Sequence, residues 1–105
     1  MLLLTYASGS VAADRRVIVV NQIGAPLSDL SVRVPGSGSW KSVAPGLSPG
    51  ARTLVTVNDE ASCAYDVRAT LGGAGEVIWN ALNFCETRSV SLNRQADGLA
   101  WADYD

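Results

Sequence analysis

The chain has 105 residues, with eight Lys and Arg against ten Asp and Glu, for a net charge of −2. That length allows one domain with a modest core, and the interspersed charge offers no basic footprint for nucleic acid or an anionic membrane. The sequence contains no histidine, which excludes His-based triads, Cys-His dyads and His-ligated metal centres.

Residues 1–13 carry no charge, begin with Met1-Leu2-Leu3-Leu4 and close on the small residues Val11-Ala12-Ala13. They are expected to form a signal peptide, truncated or short because no basic residue precedes the apolar run, followed by a single domain over 14–105. Arg15 and Arg16 follow the apolar run, so they are not a twin-arginine export motif. No stretch reaches the roughly 18–20 apolar residues of a membrane span.

Residues 16–23 are β-branched and apolar on both faces, which predicts a strand inside a sheet. Gly24 and Pro26 break it. Leu30, Val32 and Val34 then alternate with Ser31 and Arg33, the pattern of a half-buried strand. Pro35, Gly36 and Gly38 predict a loop leading to Trp40. Pro45-Gly46 and Pro49-Gly50 predict two consecutive turns, proline presetting φ and glycine taking the positive φ of type II. Residues 52–57 form the next strand, and the polar run 58–62 closes it. Tyr65, Val67, Ala69 and Leu71 share one face of the following strand with Cys63, while Asp66, Arg68 and Thr70 occupy the other and are placed for cross-strand pairing. Gly72 and Gly75 turn the chain into 76–85. Ser89-Val90-Ser91-Leu92 alternates again, and Asn93 to Gly98 predicts a hairpin turn returning through Trp101. The expected fold is all-β: a small antiparallel β-sandwich of six or seven strands, joined as a meander or Greek key, with one intra-domain disulfide.

The disulfide is expected between Cys63 and Cys85. A hairpin over 63–85 puts a sulfur at each outer end, where the required Cα separation is geometrically easy. The alternatives are two buried thiols or half of a metal site. Zinc wants four ligands drawn mostly from Cys and His, and redox catalysis wants a Cys-x-x-Cys pair; neither set is present. Leu82 and Phe84 share a parity that excludes Cys85, so a bulge or strand end is expected just before Cys85. A disulfide would place the mature chain outside the reducing cytosol, in the periplasm or medium.

No catalytic residue and no cofactor or metal site is assigned. Asp59, Glu60, Asp66, Glu76 and Glu86 could supply a carboxylate pair for glycoside hydrolysis, but they fall where turns and exposed strand faces place solvated acids. Asn58-Asp59-Glu60 and Asp103-Tyr104-Asp105 offer hard oxygens without the spacing of a calcium loop. The glycine clusters lack the strand-to-helix context needed to cradle phosphate. Trp79 is expected in the core. Trp40, Trp101 and Tyr104 are the candidate binding surface, for a protein or cell-envelope component or, as an alternative, for a sugar stacked on two coplanar exposed aromatics.

With Asn21, Gly24, Trp40, the Cys63-Ala64-Tyr65-Asp66-Val67-Arg68 block, Trp79 and Phe84-Cys85 in place, the chain resembles a group of small exported proteobacterial β-sandwich proteins. Their pattern runs Cys-x-(Tyr/Trp)-Asp-(Leu/Val)-(Arg/Lys), then Trp, then Leu-Cys. Phe84 departs from it, standing where the group has leucine, and the region from Val34 to Gly46 is shortened. No activity is established for the group, so the resemblance implies export, the disulfide and the fold, and carries no catalytic residue across.

Overall fold

The computed structural model of the chain describes residues 14–58, 63–72 and 75–105. The expected signal peptide lies outside the described residues, as do Asp59 and Glu60. Eight strands follow in chain order: β1 (Asp14–Asn21), β2 (Leu27–Arg33), β3 (Lys41–Leu47), β4 (Arg52–Asn58), β5 (Ala64–Thr70), β6 (Glu76–Asn83), β7 (Ser89–Arg94) and β8 (Ala100–Tyr104). They form two four-stranded sheets, ordered β4-β1-β7-β8 and β3-β2-β5-β6. All pairings are antiparallel except β1 with β7. No helix among the described residues is long and apolar enough to cross a membrane.

Alternation within each strand builds the core. Val17 and Val19 of β1, Val55 and Val57 of β4, and Val90 and Leu92 of β7 face inward from one sheet. Leu27, Leu30 and Val32 of β2, Tyr65, Val67 and Ala69 of β5, and Val77 and Trp79 of β6 meet them from the other. The two-faced apolar run is β1, flanked on both sides by strands, as its composition predicts.

One segment differs from expectation. Pro45-Gly46 is not a turn but lies within β3, which raises the strand number to eight. β3 is an edge strand, where a proline removes no ladder hydrogen bond on its solvent side. Gly46 sits close to the β2 backbone: a Cβ there would meet the Leu27 carbonyl oxygen at 3.4 Å. Pro35-Gly36 and Pro49-Gly50 do form type II turns. Each closes with a 3.0 Å backbone bond, Ser37 N–H to the Val34 carbonyl and Ala51 N–H to that of Ser48, and each glycine takes a positive φ.

The parity problem before Cys85 is resolved in two steps. β5 pairs with β6 so that Val67 faces Trp79 but Tyr65 faces Leu82, which leaves Asn80 and Ala81 together opposite Asp66. Ala81 takes a φ of 53° in this bulge. The extra residue brings Val77, Trp79, Leu82 and Phe84 to the same inner face. The strand then ends at Asn83, whose Oδ1 accepts the N–H groups of Cys85 (2.9 Å) and Glu86 (3.2 Å) and turns the chain. Cys63 and Cys85 are joined in a disulfide with a Cα separation of 5.0 Å.

Asn21 is fully buried and stitches the two sheets. Its Nδ2 donates to the carbonyls of Ala25 (2.8 Å) and Leu47 (2.9 Å), and its Oδ1 accepts from Ile23 N–H (3.0 Å). Asn21→Ala would strand those three backbone groups. A loss of about 2 kcal/mol is expected from urea unfolding, since each buried group left without its partner costs about 1–3 kcal/mol less what water recovers. A shift indistinguishable from zero would show that the stitch carries no stability.

Candidate interaction site

The bulge that settles the parity of β6 also creates a site. Asp66 lies on the outward face of β5, yet it is only 4% exposed. Its Oδ1 accepts the Ala81 N–H released by the bulge, at 2.8 Å. Its Oδ2 accepts Arg33 Nε at 2.9 Å, Arg33 being its direct partner across β2 and β5. A buried carboxylate is tolerable only with such compensation, and here both oxygens are engaged.

Arg33 is held a second way. Its guanidinium carbon lies 4.3 Å from the centroid of the Trp40 ring, and that of Arg68 lies 4.4 Å from the same centroid. Cations at this range are attracted by the negative face of the indole. Arg68 also approaches Glu76 at 3.8 Å, a loose pair with Glu76 largely exposed. The two ion pairs are the cross-strand pairings expected of Asp66 and Arg68. Both arginine side chains remain partly exposed, at 28% and 30%, Trp40 is half-buried, and Ile78, opposite Arg68 on β6, is 38% exposed. The outer face of this sheet therefore presents an ordered arginine–tryptophan–arginine cluster beside an exposed aliphatic side chain.

Of the three residues expected from sequence to form a binding surface, only Trp40 belongs to this cluster. Trp101 lies on the outward face of the opposite sheet, facing Asn93 across β7 and β8, and is 40% exposed. Tyr104 faces Val90, a core residue, and so lies on the inner side of its strand. Its hydroxyl accepts the Asn83 N–H at 3.2 Å, joining β8 to β6. Trp79 is buried, and its Nε1–H is shared between the carbonyls of Asn93 (3.0 Å) and Trp101 (3.1 Å). The coplanar pair that a sugar platform requires is thus not formed by Trp40 and Trp101.

Arg33 was visible in the sequence on the polar face of one strand and Asp66 and Arg68 on that of another, but their convergence on Trp40 depended on β2–β5 register and on the chain entering β3 at Lys41. Neither is written in a local pattern. Of the acids considered for catalysis, Asp66 has both oxygens engaged by Arg33 and the Ala81 N–H, and Glu76 and Glu86 are exposed. Among the described residues, no group of three or more His, Cys, Asp or Glu side chains gathers where a metal ion could be held.

Two concavities accompany these surfaces. One is a predominantly apolar cleft of about 330 Å³ opening between the sheets near Val32, Val57 and Tyr65. The other is a shallow basin of about 490 Å³ on the outer face of the β4-β1-β7-β8 sheet, floored by Ile18, Val20, Ser89 and Ser91 between Arg52 and Arg88. No protein-family model, curated protein or solved structure matches the chain.

Proposed function

We propose that this chain is an exported, non-catalytic binding domain, acting as a monomer on a protein or other component of the bacterial cell envelope. Its contact surface is the Arg33–Trp40–Arg68 face of the β3-β2-β5-β6 sheet. The observation that carries this reading is a half-exposed indole with two partly exposed guanidiniums against its ring. Tryptophan and arginine dominate the energetics of protein interfaces. Here the side chains are ordered in advance by Asp66, Glu76 and the indole, so less conformational entropy is lost on binding. The Cys63–Cys85 bond supports a working place outside the reducing cytosol, in the periplasm or medium.

The test is affinity capture from envelope extract by the oxidised chain. Trp40→Ala combined with Arg68→Ala should reduce recovery of the captured partner at least tenfold, whereas Trp101→Ala should leave it unchanged. Arg68→Ala suits this purpose because its exposed, loose pair with Glu76 contributes about 1 kcal/mol or less. Equal capture by the wild-type chain and the double variant would reject this face as the contact surface.

A further inference from the structure

The apolar cleft is a second feature that shares Arg33 with the outer face, and its reading does not rest on what that face binds. Its floor is Val32, Val57 and Tyr65, all buried core residues, with half-buried Val34 beside them. Among the described residues, the charged ones lining it are Arg33 and Lys41, both cationic. Exposed Ser37, Ser39 and Thr56 add hydroxyls. An apolar floor with two cationic residues at its lining matches a ligand with an apolar body and one anionic end.

We propose that this cleft binds a single-chain fatty-acid anion, its hydrocarbon tail against Val32, Val34 and Val57 and its carboxylate at Lys41 and Arg33. The volume of about 330 Å³ falls at the lower end of the roughly 300–1,000 Å³ of small-molecule sites, enough for a slender chain. Asp66 engages Arg33 through Nε and the Trp40 ring lies against its guanidinium carbon, which holds the guanidinium in place, a group suited to charge-assisted pairing with a carboxylate.

The test uses dodecanoate below its micelle concentration, titrated into the oxidised full chain and followed by methyl NMR. The expected result is one saturable site, with shifts concentrated on Val32, Val34 and Val57. Dodecanol, with the same tail and no charge, should bind at least tenfold more weakly, and acetate should not bind. Lys41→Glu, at an exposed position, should weaken dodecanoate at least tenfold, while Arg68→Ala, outside the cleft, should not change its affinity. Non-saturable binding, shifts spread over the surface, equal affinity in the Lys41→Glu chain, or tighter binding of acetyl-Leu-Leu than of dodecanoate would each overturn the proposal.

Discussion

Trp79→Ala is expected to destabilise the domain by about 3–5 kcal/mol, the largest effect of any single substitution considered. The residue is the largest fully buried side chain among the described residues, so its loss leaves a cavity that the surrounding core cannot fill without moving. The indole also bonds across from one sheet to the other, its Nε1–H meeting two carbonyls of the β7–β8 hairpin. Those carbonyls would be left without their donor, adding to the packing loss. Domains of this size are stable by about 5–15 kcal/mol in total, so the variant would be close to unfolding at ambient temperature. Trp79→Phe separates the two contributions: it restores most of the volume and none of the hydrogen bonding, and a loss of about 1–3 kcal/mol is expected. Urea unfolding of the three proteins decides the matter. Equal stability of the wild-type and alanine chains would mean that the β6–β8 side of the sandwich is not held by this residue.

Removing the disulfide, by Cys63→Ala with Cys85→Ala, should cost about 3 kcal/mol. The cysteines are 22 residues apart in sequence, and the chain-entropy model gives roughly 3.4 kcal/mol for closing a loop of that length. The bond lies at the end of the β5–β6 hairpin, where the Phe84 N–H to Cys63 carbonyl bond (2.8 Å) closes the ladder. The native fold should therefore persist in the variant, with a melting temperature lower by about 4–8 °C for each kcal/mol lost. Thermal unfolding of the oxidised, reduced and double-alanine chains provides the comparison. Reduced and double-alanine proteins should coincide, both well below the oxidised one. No difference between oxidised and reduced chains would show that the hairpin does not need its covalent closure.

Much of the fold was legible because the alternation of Val, Leu, Tyr and Trp with polar residues has the period of a strand. Five of the eight strands were located this way; β1 was located from its β-branched run apolar on both faces, and β8 from the turn that precedes it. The eighth, β3, was hidden because Pro45-Gly46 looks locally like a turn, and only its position at a sheet edge makes that dipeptide acceptable in a strand. Asn21 likewise gave no local sign of its role: a polar residue ending an apolar run signals a strand end equally well, and its partner Leu47 is distant in sequence.

The candidate site was less legible. Trp40 was singled out as an exposed aromatic, but grouped with Trp101 and Tyr104, from which sheet topology separates it. Its actual companions, Arg33 and Arg68, come from two other strands, and their convergence follows from long-range register. The same holds for Asp66. Its burial depends on a bulge in β6 that the parity of Leu82, Phe84 and Cys85 implied without locating.

The central claim is that partners are met on the Arg33–Trp40–Arg68 face. Photo-crosslinking in producing cells tests it most directly, with benzoylphenylalanine in place of Ile78, beside Arg68 on that face, or in place of Leu54, 56% exposed on the opposite sheet. A discrete adduct should form from position 78, disappear when Trp40→Ala is added, and be absent from position 54. Adducts from position 54 alone, or an adduct at 78 indifferent to Trp40, would contradict the assignment.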